Sequence, residues 1–448
     1  MMVIVFAIGL RLAPELLAYP HPIGYDVVNY YIPVVSNLNE HWGSVSDDFP
    51  LYVLILYSVS LATGLSAQAV VVGAAIAIFG LFAFSIFNLG RTLLKLANWE
   101  CLFLATFVIL QLAVLRTAWD LHRDVLALST MLVIFGLLSA RKKGMLRIVL
   151  LAALCCFTLA SDRMVGLLLT VSLAAGAVIR RTRDLAVLAI FSSVLFVSML
   201  GPTIMKDDRI QVSGAGAKVP LLDISAVDYL VLFGVLNGIV TIPAILGFNK
   251  SRNVLLGVPF IISAIGAFAW IMVPNPSFLV PERWIILFGV FASIYAGYFI
   301  IKMLRRYKSR AIMASLVMSG FAILGFSYVA MPYDGPFVLF AITKNSIENF
   351  APVTMQFNAL DIDDNDALLD TIDRINQSTE RDALIVGAKH WRGFMELNLE
   401  DERTYKFSDN PLDLGLAHSR LGRNVYLLEP LGEGTEFEFH KLEDYGRT

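Results

Sequence analysis

The sequence predicts a multi-span α-helical membrane protein followed by a small α/β domain. Hydrophobic residues make up 57% of the 448 and charged residues only 16%, where soluble domains carry about 25% charged. Apolar stretches of spanning length recur as far as residue 331 and then stop. The charge balance reverses at the same point: residues 1–331 hold 24 basic and 15 acidic side chains, residues 332–448 hold 11 and 22. The predicted domains are therefore 1–331, with an external loop at 18–66, and 332–448.

The N-terminal MMVIVFAIGL has neither the basic n-region nor the small-residue cleavage site of a signal peptide and reads as a retained span. Ten apolar residues precede Arg11, about half a normal span, so either that helix is short or the chain begins upstream. Further spans are expected at about 67–90, 98–117, 122–140, 148–161, 164–179, 184–201, 227–248, 254–273, 284–301 and 311–331. With the first, they make eleven. Residues 51–65 are apolar but short.

The positive-inside rule decides whether 51–65 crosses. Five loops, Arg91/Lys95, Arg141–Arg147, Arg180–Arg183, Lys250/Arg252 and Lys302–Arg310, carry sixteen basic side chains. They face the cytoplasm only if 51–65 dips and returns or lies at the surface. The N-terminus is then cytoplasmic and the C-terminal domain extracytoplasmic. The outer face collects 18–50, 116–124, 161–163, 202–225 and 274–283, the stretches that interrupt the apolar pattern with acids.

In the C-terminal domain, strands are expected at 382–388, 403–407 and 424–431 and helices at 390–399 and 411–422, an α/β alternation. DIDDNDALLDTIDRI (361–375) starts like a calcium loop but lacks the glycine at position six and the closing glutamate. Acids at a helix N-terminus account for it better. Asn376-Gln377-Ser378 matches a glycosylation sequon and reads first as an exposed loop. The cysteines, Cys101, Cys155 and Cys156, all lie in apolar stretches and offer no disulfide framework.

Ionisable side chains near hydrocarbon are costly, and their recurrence on one side suggests a pocket. The first loop offers Tyr25, Asp26, Tyr30 and Tyr31, then Asp47 and Asp48; no Lys or Arg occurs between 18 and 66 to pair with Asp26. Asp120, His122, Arg123 and Asp124 follow the third span, and Asp120 and Asp124 share a face if one helix contains both. Arg163 and Arg283 stand at two further outer turns. Arginines beside carboxylates suit transfer of a sugar from a lipid phosphate: the guanidinium binds phosphate, and a carboxylate takes the acceptor's proton. The plainer readings are surface ion pairs for Asp162, Asp207 and Asp208, a pocket-lining role for a His122 with no second histidine beside it, and an interfacial belt for Trp42, Trp119 and Trp284.

The segments RLAP, PIGYD, PLYVLILYSVSLATGLS, WDLHRD and PERW, with the α/β tail, resemble archaeal GT-C membrane glycosyltransferases, relatives of the protein O-mannosyltransferases, aminoarabinose transferases and oligosaccharyltransferases. The resemblance implies an essential acid at Asp26, a second acidic motif at Asp120 and Asp124, and a polyprenyl-phosphate sugar donor. It also implies a glycan, lipid or protein acceptor on the outer face. Some relatives need a divalent cation and others do not, so the cofactor stays open. The chain lacks an Asp-Glu pair at Asp26 and a WWDYG-type acceptor motif, which favours transfer of a single sugar over transfer to peptide sequons. Membrane lipids are expected partners and nucleic acid is not. The alternative is a non-enzymatic membrane protein, a lipid-linked saccharide transporter or a scaffold for surface-glycan assembly.

Overall fold

The computed structural model describes residues 1–17, 19–24, 26–38, 42, 51–139, 144–206, 226–251, 253–271, 281–307, 309–330, 336–337, 342–343, 362–388, 391–400, 402–408, 410–419, 424–431 and 436–442. The Asp120 side chain and those at several helix ends fall outside that description. Each predicted apolar segment is helical. The helices are α1 (Met2–Leu17), α2 (Ile32–Ser36, entered through a π-helical turn at Val27–Tyr31), α3 (Leu51–Thr63), α4 (Ala67–Thr92), α5 (Asn98–Ile109), α6 (Leu112–Asp120) and α7 (His122–Ser139). They continue as α8 (Met145–Ser161), α9 (Arg163–Arg180), α10 (Arg183–Lys206), α11 (Ala226–Ser251), α12 (Val254–Ala267), α13 (Pro281–Leu304) and α14 (Arg310–Ala330).

Five described helices, α4, α7, α9, residues Tyr229–Ser251 of α11, and α13, are long and apolar enough to cross a membrane. This is a membrane protein. The segment expected as one span at 98–117 is instead two helices, α5 and α6, bent by 67°. The reason lies at Gln111, whose side-chain amide donates to the Phe107 carbonyl at 2.8 Å and so satisfies a last-turn acceptor of α5 that a continuous helix would have used.

The chain forms two compact units, one of Met1–Pro14, Trp42–Ile55 and Val72–Pro352, the other of Glu15–His41, Leu56–Val71 and Val353–Thr448. In the first, α13 is the most buried of the five long helices. Gly289 lets it approach its neighbours: a Cβ there would overlap Ala113 of α6 and Asn237 of α11, the small-residue packing on which helix association in lipid depends. A short antiparallel pair, β1 (Pro336–Phe337) with β2 (Ile342–Thr343), follows α14.

The basic loops of this unit meet one another. Arg305, just after α13, makes a two-pronged ion pair with Glu100 of α5, both bonds 2.6 Å. Arg310 lies over Trp99 at 5.8 Å. Arg180, at the end of α9, donates to Asn253 ahead of α12 at 3.3 Å, and Lys250 covers the Phe299 ring at 4.4 Å.

In the second unit α15 (Ile362–Ser378), β3 (Leu384–Gly387), α16 (Arg392–Asn398), β4 (Thr404–Phe407), α17 (Pro411–Ser419), β5 (Val425–Leu431) and β6 (Glu436–Lys441) follow in order. The sheet runs β4-β3-β5-β6, with β3 parallel to both neighbours and β6 antiparallel to β5. Alternation sorts the two faces. Leu384, Val386, Val425 and Leu427 pack under α17 with Leu412 and Leu414. Ile385, Tyr426 and Leu428 point the other way, into a core with Leu368, Ile372 and Ile375 of α15 and Phe394 and Met395 of α16. Every expected tail element forms; β6 was not anticipated.

The acidic run at 361–375 is helical from Ile362 onward, within α15; Asp361, where the capping reading puts the helix start, lies outside the described residues. The sequon does not lie in a loop. Asn376 is inside α15, where its side chain donates to the Asn398 carbonyl at 2.9 Å and accepts from the Glu400 N–H at 3.1 Å. Arg403 closes the same helix end, bonding the carbonyls of Asn376 and Thr379 at 2.8 Å each.

Candidate active site

The first unit gathers buried polar side chains around the end of α6. Leu121 leaves helical geometry (φ −89°, ψ 53°), which ends α6 and frees its last carbonyls. Buried away from water, such groups need partners from the protein. Arg11, in the middle of α1 and 1% exposed, donates its Nε–H to the Ala118 carbonyl at 3.1 Å. Its guanidinium lies over the Trp119 ring at 5.4 Å. His122, fully buried, takes the next carbonyl, with Nε2 3.0 Å from Trp119 O. A carbonyl only accepts, so Nε2 carries the proton. In the neutral ring Nδ1 is then an acceptor, and the Tyr52 hydroxyl of α3 donates to it at 3.2 Å.

In the first turn of α7 stands Asp124, 1% exposed. Asp162, Arg283 and Arg123 are the charged groups nearest its carboxyl. Asp162, 3% exposed, also caps α9, accepting the Val165 N–H at 2.8 Å. Three chain turns distant in sequence, 122–124, 162 and 283, therefore meet. All three belong to stretches that the charge count assigned to one face.

Asp120 and Asp124 do not share a helix face: α6 ends at Asp120 and α7 begins at His122. The partner of Asp124 is Asp162, which sequence reasoning had treated as an ordinary surface pair. Tyr52 was missed; Arg11, whose spacing to Glu15 reads either as a brace for the first loop or as a simple helix pair, instead bonds the Ala118 carbonyl. Trp119 and Trp284, expected in an interfacial belt, are buried in the unit, 1% and 8% exposed. Arg163 opens α9 and Arg283 lies in the first turn of α13. Tyr25, Asp47, Asp48 and the Asp120 side chain lie outside the described residues.

Asp26 belongs to the second unit. It is half-buried and stands immediately before the π-helical turn at Val27–Tyr31, with helical angles of its own (φ −68°, ψ −26°). Such turns recur at functional sites.

Among the described residues no three His, Cys, Asp or Glu side chains gather as a metal would require. Asp124 and Asp162 have Arg283 beside them, and both nitrogens of His122 are engaged. These residues do not fit a divalent cation, which an adjacent guanidinium repels.

No family model matches the sequence, and neither does any curated protein. Among solved structures the chain is similar to the crystal structure of the Archaeoglobus fulgidus oligosaccharyltransferase in the apo form. The TM-score is 0.55 at 11% sequence identity, over 96% of this chain and 69% of that one. At that identity the likeness shows the fold alone.

Proposed function

We propose that the protein is a membrane glycosyltransferase that moves a sugar from a polyprenyl-phosphate donor to an acceptor hydroxyl at the extracytoplasmic face. The acceptor oxygen attacks C1 of the sugar from the side opposite the phosphate. The new C1–O bond forms as the bond from C1 to the phosphate oxygen breaks, which inverts the anomeric centre. Asp26 takes the acceptor's proton, with Asp120 as the second acidic group, and the polyprenyl phosphate leaves as an anion. Arg123, Arg163 and Arg283 are its ligands, with Tyr25, Asp47, Asp48, His122 and Asp124 lining the substrate sites.

The observation that supports this reading is the gathering of buried polar groups at the turns assigned to the outer face, with Arg11 on Ala118 and Trp119, Tyr52 on His122, and Asp124 and Asp162 at 1% and 3% exposure, in a chain whose fold is similar to that of a membrane oligosaccharyltransferase. The mutual contacts of the basic loops support a cytoplasmic placement for Glu100, Arg180 and Arg305, and so an N-terminus inside and a C-terminal region outside. In membranes supplied with a polyprenyl-phosphate hexose, Asp26→Asn is expected to abolish transfer while the protein accumulates and melts as the parent does. Undiminished transfer by that variant defeats the assignment. Flipping of lipid-linked sugar by the purified chain in vesicles would support the carrier reading instead.

A further inference from the structure

The second unit joins the segment after α1 to α16, more than 350 residues later in the chain. The Asn29 side chain, 7% exposed, accepts the Gly393 N–H at 2.9 Å. Gly393 is in the first turn of α16, where backbone N–H groups have no partner within the helix. The residue before that helix, Trp391, supplies no side-chain cap. Asn29 therefore performs from a distant part of the chain the task of a local capping residue. At Gly393 the two backbones come close: a Cβ there would overlap the Val28 carbonyl and press on Asn29 Cα at 3.0 Å. Only glycine allows that approach. Val28, 1% exposed, completes the core formed by Leu368, Ile372, Trp391, Phe394 and Met395.

Val28 and Asn29 lie inside the π-helical turn that begins directly after Asp26. A π turn carries an extra residue per turn and persists only where its surroundings hold it. From this geometry we infer that α16 is the platform on which the Asp26 turn is built, and that Asn29 and Gly393 are positioning residues for Asp26. The inference rests on the proposed role of Asp26 and deepens it: the C-terminal region sets the aim of the proposed base, through one hydrogen bond, one glycine contact and one buried valine.

The test uses the full-length chain in nanodiscs with two readouts, amide exchange of the 26–36 peptide and transfer from a polyprenyl-phosphate hexose. Gly393→Ala and Asn29→Ala are expected to expose residues 27–31 to exchange while β3 and β5 keep their protection. Turnover should fall by about 10- to 100-fold, with the donor KM changed by less than about threefold, because a small displacement of a reacting group costs that much. Asn29→Asp, whose carboxylate accepts the same N–H, should restore both readouts. If Gly393→Ala does not accumulate, Asn29→Ala with its Asp rescue decides alone. Unchanged protection in the alanine variants overturns the platform, and lost protection with undiminished turnover overturns the positioning role. A parent protein that transfers no sugar defeats the transferase reading, while the exchange readout still decides whether α16 holds the turn.

Discussion

Arg11 of α1 and Ala118 at the end of α6, 107 residues apart, are joined by a buried hydrogen bond of 3.1 Å from the guanidinium Nε to the carbonyl. A charge held 1% exposed in an apolar helix is costly, and here it supplies the donor that a terminating helix lacks inside a membrane protein. Arg11→Ala is expected to destabilise the first unit by about 2–3 kcal/mol, the range for a buried hydrogen bond to a charged group. Thermal unfolding in detergent measures this, and a variant as stable as the parent would remove Arg11 from the account.

Tyr52 and His122 form the second brace of the same helix end. Tyr52→Phe removes one neutral hydrogen bond and should cost about 1 kcal/mol, whereas His122→Ala also abandons the Trp119 carbonyl and should cost about twice that. A double-mutant cycle should return a coupling near ~1 kcal/mol. Additive effects would show that the two rings do not support each other.

Asp162 accepts the Val165 N–H and lies beside the buried Asp124 carboxyl. Asp162→Asn retains a capping oxygen and offers Asp124 an N–H donor, so it should be tolerated. Asp162→Ala loses the cap, worth about 1 kcal/mol, and leaves Asp124 without its neighbour. The order of melting temperatures, parent and Asn together above Ala, is the outcome to look for; Asn falling with Ala would show that the cap on Val165 is not what Asp162 contributes.

Glu380 connects Lys441 of β6 at 2.9 Å and Tyr426 of β5 at 2.8 Å. The Lys441 ammonium, then the Tyr426 hydroxyl, hold its carboxyl down to about 2. A depressed carboxyl contributes stability that is complete above its unfolded value and disappears as pH falls through the folded one. Unfolding of the C-terminal region in the parent and in Glu380→Gln should therefore differ near neutral pH and converge toward about pH 2. The gap should be modest because the pair is partly in water, and a gap independent of pH would rule out the ion pair as its source.

How much was legible differs by element. Runs such as DALIVGA and NVYLLEPL identify strands by themselves, because a short continuous apolar run bounded by polar turns, buried on both faces, is a local property of the chain. The 67° bend between α5 and α6 was illegible: FVILQLAVL is uniformly apolar, and a single glutamine does not announce that it will cap the helix behind it. Asp162 was undervalued for a related reason. Next to Arg163 it reads as a neutralised pair, and only the fold brings Asp124 to it.

The sequence by itself determined that this is a membrane protein with an α/β tail, that basic and acidic turns alternate between its helices, and that acids and arginines occur at particular turns. Those are properties of composition and period, which the solvent reads locally. The tertiary structure alone decided that Arg11 closes α6, that Asp124 meets Asp162 and Arg283, and that Asn29 caps α16. Each of these joins an unsatisfied polar group to a partner far along the chain, and such a group finds its partner only once packing has removed water and lipid from both.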